Sequence, residues 1–263
     1  MELILAFVQG ITEFLPISSS GHLVIFPWLF GWQDPGLAFN VALHFGTLLA
    51  VLIYFRRDIA LIIKSVFGNK KEIANENKYP PCIFWILVIA TIPGALAGFF
   101  LEEMAETIFR FPPLVAGTLI VLGALLYAGD HYSTKIKTKG KITWKKGIIV
   151  GIAQALAIIP GVSRSGATIT AGLFLGLDRV SSARFSFLLS APIIFGASIL
   201  KAKDFFAFGV GAKEILAILF SALSGYLAIA GMIKFIEKVS YKVFFWYRLA
   251  LGILILVVYY QIR

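Results

Sequence analysis

The 263-residue chain is poor in charge and in cysteine. Only 14% of its residues are Asp, Glu, Lys or Arg, and its single cysteine, Cys82, excludes an intrachain disulfide framework. A soluble globular domain has about 25% charged and roughly 45–50% apolar residues. Hydrophobic residues make up 59% of this chain, and the mean hydropathy is +0.88. We therefore expect an integral membrane protein that forms one domain over residues 1–263.

The excess of basic over acidic residues does not indicate nucleic-acid binding. The formal net charge is +10, but Lys and Arg lie in short segments between apolar runs, as topology signals beside anionic lipid do. Residues 56–81 and 130–146 are two such segments. Together with the basic residues of 179–184 and 234–242, they place most of the positive charge on one side of the membrane. The positive-inside rule assigns that side to the cytoplasm, so both termini are expected outside.

Six apolar stretches approach the length of about 20 residues that a membrane-spanning helix needs. They are approximately Leu37–Phe55, Cys82–Leu101, Pro113–Gly129, Phe185–Leu200, Ile215–Ile233 and Val243–Tyr260. Phe185–Leu200 is short, and we expect it to borrow flanking residues. The predicted class is an all-α polytopic membrane protein with six transmembrane helices.

Two further apolar regions, Glu2–Phe30 and Gly147–Leu177, are interrupted by Pro, Gly and Ser. Each is expected to form a re-entrant pair of half-helices that enters and leaves the membrane on the same face. The regions also resemble each other, because one constant offset aligns Gln9 with Gln154, Ser18 with Ser163, Ser20 with Ser165 and Gly21 with Gly166. Each is followed by three spans, an odd number, so the second repeat is inserted upside down. Residues of about 1–130 and 146–263 are thus predicted to form an inverted-topology repeat.

The interruptions carry the polar groups that hydrocarbon cannot satisfy. In the first, Gln9 and Glu13 share one helix face, and the break at Pro16 is followed by Ser18, Ser19, Ser20 and His22. In the second, Ser163, Arg164 and Ser165 open the next half-helix, and Thr168 lies about one turn further on.

Free backbone N–H groups at two helix starts, with an Arg nearby, favour an anion such as a lipid phosphate or pyrophosphate. A Ser near a His permits nucleophilic phosphoryl transfer, for which Ser19 and His22 are the candidates. Glu13 is expected either to act as a base or to hold a divalent cation.

Simpler roles are open for several of these residues. Ser18 and Ser20 can bond the carbonyl one turn back, and Glu13 can be a structural partner of Arg164. His22 can be an interior histidine with satisfied nitrogens. His44 either lines the cavity or packs against the serines. Arg248 is expected to reach the interface or to pair internally.

The two interrupted motifs carry a family resemblance. Residues 9–22, Gln-Gly-Ile-Thr-Glu-Phe-Leu-Pro-Ile-Ser-Ser-Ser-Gly-His, and 160–169, Pro-Gly-Val-Ser-Arg-Ser-Gly-Ala-Thr-Ile, resemble the two signatures of the bacterial undecaprenyl pyrophosphate phosphatase family, the bacitracin-resistance type. The similarity extends over nearly the whole chain, including the run 183–190.

The resemblance implies hydrolysis of a C55 isoprenyl pyrophosphate to its monophosphate, which recycles the lipid carrier for peptidoglycan synthesis. It also implies a divalent cation, Mg²⁺ or Ca²⁺, and an active site that opens on the outer side of the plasma membrane. The catalytic residues by this resemblance are Glu13, Ser19 and His22, and the pyrophosphate-binding residues include Ser163, Arg164 and Thr168. Many family members have Glu where this chain has Gln9, which weakens the expectation of a metal site with two carboxylates.

A transporter or flippase for polyprenyl phosphate lipids is the alternative, because inverted repeats with broken helices are also transporter architecture. Hydrolysis needs a nucleophile and proton handling, whereas a carrier needs only anion donors. Apolar faces toward lipid and toward a partner subunit look alike, so the sequence leaves open whether the chain forms a homodimer.

Overall fold

A computed structural model describes residues 1–67, 79–136, 140–208 and 211–262, and within these ranges the chain is helical, without strands. The helices are α1 Glu2–Phe14, α2 Ser19–Phe30, α3 Gly36–Tyr54, α4 Arg56–Val66, α5 Ile83–Phe100, α6 Glu102–Glu106, α7 Pro112–Lys135, α8 Trp144–Ala155, α9 Arg164–Phe174, α10 Arg179–Leu200, α11 Ala202–Phe208, α12 Ala212–Lys238 and α13 Lys242–Ile262. Two 3-10 turns, Ile108–Arg110 and Leu156–Ile158, precede α7 and follow α8.

Five of these helices are long and apolar enough to cross a membrane, namely α5, α7, α10, α12 and α13. They correspond to five of the six predicted spans. The sixth, in α3, contributes a shorter apolar segment, Phe39–Tyr54. Helix α10 begins at Arg179, before the predicted start at Phe185, so it does borrow flanking residues. The chain is a multi-pass membrane protein.

Large apolar side chains cover the outside of the helices. Phe99, Phe100, Leu223 and Leu227 are each more than half exposed. Because hydrocarbon tails solvate such side chains as well as a protein core does, this surface is suited to contact with lipid.

Both predicted interruptions divide their segments into two short helices. Helix α1 ends at Phe14, since Pro16 cannot donate to the helix and disfavours helical backbone in the preceding residue. Helix α8 ends at Ala155, and the chain passes through the 3-10 turn and Pro160 before α9 begins at Arg164.

Small residues let α1, α3 and α12 approach closely. A β-carbon on Gly10 of α1 would lie 2.5 Å from the carbonyl oxygen of Ser221 in α12, and one on Gly46 of α3 would overlap the Ile218 carbonyl. The Ser221 hydroxyl donates to the Leu43 carbonyl at 2.7 Å. Small residues at helix interfaces are the usual means of packing in a membrane, and here they hold α1 and α3 on either side of one polar cluster.

Ion pairs gather at the helix ends. Arg184 donates from Nη2 to both carboxylate oxygens of Asp58, at 3.0 and 2.9 Å. Arg179 donates from Nε and Nη2 to the two oxygens of Asp130, at 2.6 and 2.9 Å. These pairs involve the predicted cytoplasmic segments. The basic segments also contain Lys70, Lys71, Lys78, Lys137 and Lys139, which lie outside the described residues.

The opposite helix ends have pairs of their own. Arg110, before α7, pairs with Asp34, before α3. Lys201, after α10, pairs with Glu102 of α6. Each pair joins connections that the predicted topology places together on the outer side.

Candidate active site

The second helix of each interrupted segment starts from a serine with left-handed backbone. Ser18 has φ 73° and Ser163 has φ 70°, and each side chain accepts a hydrogen bond from the backbone N–H three residues on, in Gly21 and Gly166. A positive φ is costly for a residue with a β-carbon and is found where surrounding structure enforces it, often at functional sites. Both caps leave the first backbone N–H groups of α2 and α9 without intrahelical acceptors, which suits an anion.

The two breaks contact each other directly. The Ser18 hydroxyl oxygen also accepts the backbone N–H of Gly161 at 3.0 Å, and the Ser165 hydroxyl donates to the Leu15 carbonyl at 3.1 Å. The hydroxyls of Ser163 and Ser165 lie 3.2 Å apart. The two breaks that the sequence aligned therefore lie together inside the protein, whereas Gln154, the counterpart of Gln9, donates to the Ala90 carbonyl of α5.

Glu13 lies at the centre of the cluster. One carboxylate oxygen, Oε1, accepts from Nη2 of Arg164 at 2.6 Å. The other, Oε2, accepts from the Ser19 hydroxyl at 2.5 Å and from the Gln9 amide at 2.9 Å. Glu13 is only 4% exposed, so the carboxylate depends on these partners rather than on water.

Residues of α3 and α10 complete this cluster. The His44 Nε2 lies 3.4 Å from Glu13 Oε2, and the Ser186 carbonyl accepts from Arg164 Nη1 at 3.0 Å. The hydroxyls of Thr168 and Ser186 are 2.6 Å apart. The two terminal nitrogens of the Arg164 guanidinium are thus held by different partners, the Ser186 carbonyl and the Glu13 carboxylate.

His22 lies in a different environment from Ser19. Its Nδ1 is 2.7 Å from the Ser18 carbonyl and its Nε2 is 2.7 Å from the Tyr247 hydroxyl, and the imidazole stacks on the Tyr247 ring. Both ring nitrogens are thus partnered without Ser19. His22 borders an apolar cavity of about 330 Å³ that is also lined by Phe7, Phe26 and Tyr247.

Arg248 binds both breaks from the last helix. Its side chain is fully buried, and its guanidinium donates to the carbonyls of Pro16, Gly161 and Val162. Two further bonds go to the carbonyls of Thr118 and Leu119 in α7. Of the two roles expected for this residue, internal pairing is the one that the structure shows, and the partners are backbone carbonyls.

The remaining predicted residue, Ser20, is only partly buried, and its hydroxyl lies 3.3 Å from that of Ser18. The sequence did not assign Ser186 or Tyr247 to the site. It left His44 between lining the cavity and packing against the serines, and it gave Arg248 only structural roles. In the sequence, the feature that marks these four residues is a polar side chain within an apolar helix. Many residues without a functional role share this feature.

Comparison with known proteins identifies the family. A family model described as bacitracin resistance protein BacA matches residues 2–254. The chain belongs to this family.

Proteins named undecaprenyl-diphosphatase are similar over nearly their full length. The protein of Moorella thermoacetica is 47% identical, over 99% of this chain and 98% of its own. That of Pelotomaculum thermopropionicum is 46% identical, over 97% of this chain and 94% of its own. That of Desulforudis audaxviator is 43% identical, over 97% of this chain and 96% of its own. The similarity covers both interrupted segments, and no large region of this BacA-family chain lacks a counterpart.

The donor set around Glu13 suits a divalent cation only together with phosphate oxygens. Among the residues that the structure describes, no three His, Cys, Asp or Glu side chains come together as a ready-made metal cage. Glu13 Oε1 has one partner, however, and the buried Gln9 Oε1 has none. Mg²⁺ is commonly held by one or two carboxylates plus the phosphates of its substrate, and the Glu13 carboxylate fits that pattern, with the neutral Gln9 Oε1 as an additional oxygen one helical turn away.

Proposed function

We propose that the protein is a membrane phosphatase that hydrolyses undecaprenyl pyrophosphate to undecaprenyl phosphate and inorganic phosphate. The observation that carries the proposal is the Ser19 hydroxyl bonded to Glu13, with Arg164 on the other carboxylate oxygen and two helix starts beside them. The name of the curated relatives supports the same reaction. The product is the lipid carrier of peptidoglycan synthesis, and its recycling accounts for bacitracin resistance.

In the proposed mechanism, Ser19 is the nucleophile and Glu13 its base. As the Oγ–phosphorus bond forms, Glu13 takes the hydroxyl proton and the bond to the lipid phosphate breaks, releasing undecaprenyl phosphate. Water then attacks the phosphoserine, inorganic phosphate leaves, and Glu13 returns the proton to Ser19. Arg164 and the backbone N–H groups of the two helix starts bind the non-bridging oxygens throughout.

A divalent cation, Mg²⁺ or Ca²⁺, is part of the proposal. Glu13 Oε1 and Gln9 Oε1 would hold it together with the pyrophosphate, whose charge it would neutralise when bound. We expect a chelator to reduce hydrolysis and added Mg²⁺ to restore it, with an unchanged melting temperature. Full activity in chelator would contradict the role of the cation.

We also propose that the chain forms an inverted repeat with six membrane spans, one of which is α3, and that both interrupted segments are re-entrant. In this topology the two termini and the opening of the site lie on the outer side of the membrane. Three long helices follow each break, α3, α5 and α7 after the first and α10, α12 and α13 after the second, and this supports the repeat. The separation of the ion pairs between the two ends of the bundle supports the topology. In a Cys82→Ser background, an impermeant maleimide applied to intact cells should label Gln33→Cys. Lys145→Cys should react only after the cells are opened, and the reverse pattern would invert the topology.

The test of function is phosphate release from a C55 or C15 isoprenyl pyrophosphate by the detergent-purified protein, where transport is impossible. Ser19→Ala, His22→Ala and Arg164→Ala are each compared with wild type. Loss of the nucleophile or of the phosphate clamp should lower kcat by at least about 10²-fold. The matched control is Ser190→Ala, since that buried hydroxyl donates to the Phe187 carbonyl of its own helix.

The results of these experiments distinguish attack by Ser19, attack by His22 and transport without hydrolysis. Trapping of a phosphoryl group on Ser19 in wild type supports serine attack, whereas a phosphorylated His22 makes the imidazole the nucleophile. A well-folded wild type that releases no phosphate, with or without divalent cation, overturns the phosphatase and favours a carrier of polyprenyl phosphate.

A further inference from the structure

The apolar cavity beside His22 is a feature that the proposed reaction does not use. It lies between α1, α2 and α13 and has a volume of about 330 Å³. Leu15 and Ile17, which belong to the first break, line it together with Ile11 of α1 and Val243 of α13. The cavity therefore adjoins the segment of chain that carries the candidate active site.

The polar side chains of the cavity wall already make hydrogen bonds inside the protein. The Thr12 hydroxyl donates to the Val8 carbonyl at 2.7 Å. The two nitrogens of His22 lie 2.7 Å from the Ser18 carbonyl and from the Tyr247 hydroxyl. The remaining lining side chains are hydrocarbon. The cavity thus offers an apolar surface, which suits a hydrocarbon ligand and gives water few partners.

The cavity opens on the surface that is suited to contact with lipid. Phe7 on α1 and Val243 on α13 both line it, and they are 52% and 51% exposed. A hydrocarbon chain that enters from the bilayer between these two helices meets apolar side chains at the entrance. The site can therefore take a lipid chain from the side, within the membrane.

His22 connects the cavity with the phosphate site. Its ring lines the cavity, and its Nδ1 contacts the carbonyl of Ser18, the residue that caps α2. Ser19, the proposed nucleophile, is the first residue of that helix. When Ser19 attacks the terminal phosphorus of a lipid pyrophosphate, the first carbons of the lipid chain therefore lie beside this cavity.

The volume of the cavity limits how much of the chain it holds. An apolar protein cavity of about 150 Å³ binds one benzene ring, which has six carbon atoms. On that scale, about 330 Å³ suits about ten to twelve carbon atoms. This corresponds to about two five-carbon isoprene units, a small part of a C55 chain.

We propose that this cavity is the subsite for the first two isoprene units of the substrate. The pyrophosphate then lies at the two helix starts, and the rest of the chain leaves between α1 and α13 into the bilayer. Ile11 and Val243, which line the cavity from opposite helices, are specificity-determining residues because they contact the isoprenyl chain. This inference rests on the proposed phosphatase reaction.

The test is the chain-length dependence of kcat/KM for dimethylallyl (C5), geranyl (C10) and farnesyl (C15) pyrophosphate. In wild type, kcat/KM should rise by at least about tenfold from C5 to C10, because five more carbons leave water for the cavity. It should rise much less from C10 to C15, because the third isoprene unit lies outside.

The variant is Val243→Trp, whose larger side chain occupies the cavity. The ratio of kcat/KM for C10 to that for C5 should fall by at least about tenfold. The change should lie in KM rather than in kcat, because the chain is bound equally in the ground state and in the transition state. Val243→Phe, a smaller enlargement with a smaller expected loss, is the second variant if Val243→Trp does not fold.

The matched control is Val121→Trp on α7. Val121 is 55% exposed, nearly as much as Val243, and does not line the cavity. The same enlargement at this lipid-facing position should keep the wild-type dependence on chain length.

Occupancy of the cavity is measured without hydrolysis by photolabelling with geranyl phosphate that carries a diazirine at the end of its chain. The label should appear on cavity residues of α1, α2 or α13, and excess geranyl phosphate should suppress it. Equal suppression by phosphatidylglycerol would assign the cavity to acyl chains of the membrane and overturn the proposal.

These results distinguish the subsite from the function on which it rests. An unchanged ratio of C10 to C5 in Val243→Trp, or a label confined to other helices, overturns the subsite and leaves the phosphatase intact. Absence of hydrolysis of all three substrates by wild type overturns the phosphatase, whereas photolabelling of the cavity would still show that it binds an isoprenyl chain.

Discussion

Ser19 and His22 are three positions apart at the start of α2, yet their side chains have different partners. Ser19 donates to Glu13, while His22 bonds the Ser18 carbonyl and Tyr247. Residues i and i+3 share a helix face, so sequence spacing alone favoured a Ser–His pair. The hydrogen-bond partner of Ser19 is instead a carboxylate from the preceding helix, because α1 and α2 meet at the break.

The first prediction concerns the hydroxyl that orients His22. Tyr247→Phe removes the hydrogen bond to Nε2 but keeps the ring that stacks on the imidazole. One such bond is worth about 0.5–1.5 kcal/mol, so kcat/KM should fall by no more than about tenfold. The measurement is steady-state phosphate release, compared with His22→Ala. A loss as large as that of His22→Ala would mean that Tyr247 takes part in the reaction itself.

Helix packing determines how far apart Glu13 and His44 lie. They belong to α1 and α3, which both press against α12 through positions without side chains, Gly10 and Gly46. Shape at these interfaces, rather than hydrophobicity, holds the helices together, since lipid tails are as apolar as the side chains they replace.

The second prediction tests this packing. Gly10→Ala places a β-carbon 2.5 Å from the Ser221 carbonyl oxygen and 2.8 Å from the Gly225 nitrogen, both of them backbone atoms that cannot move aside cheaply. Overpacking of this kind typically costs about 1–3 kcal/mol, so the Tm in detergent should fall. The control is Gly117→Ala on α7, where a β-carbon meets nothing within 4 Å.

Alanine is a better helix residue than glycine by roughly 0.5–1 kcal/mol, so Gly117→Ala should leave the Tm unchanged or raise it. Equal Tm values for the two variants would contradict the close packing of α1 on α12 at Gly10.

Arg248 joins distant parts of the whole molecule. Its guanidinium bonds Pro16 in the first break, Gly161 and Val162 in the second, and Thr118 and Leu119 in α7. Broken helices leave unpaired carbonyls that hydrocarbon cannot satisfy, and one buried Arg supplies donors for both breaks. The two helix starts are thereby held in register with each other.

The third prediction is made at this scale. Arg248→Lys keeps the charge but has only three donors on one nitrogen, which cannot reach carbonyls on every side. Losing two charge-assisted bonds at about 1.5–3 kcal/mol each should cost at least about 3 kcal/mol of stability and misalign the site. Tm and phosphate release should both fall, whereas Lys242→Arg, an exposed change on the same helix, should alter neither. An active and equally stable Arg248→Lys protein would contradict the role of Arg248 in holding the two breaks together.

The sequence by itself determined the membrane class, the positions of the breaks and most of the polar residues at the site. These properties are local: hydropathy is read over one helix length, Pro16 and Pro160 interrupt a helix wherever it packs, and Ser, Glu and Arg in apolar surroundings need partners. The aligned motifs further indicated that the two breaks belong to one site.

Only the tertiary structure decided which side chains of the site contact each other. Glu13 accepts hydrogen bonds from both Ser19 and Arg164, and His44 of α3 contacts the same carboxylate. Arg248 contacts both breaks from the last helix. These contacts join residues that are up to 232 positions apart. They depend on helix directions and on close approaches at small residues, and neither property is encoded in the local pattern around any one of these side chains.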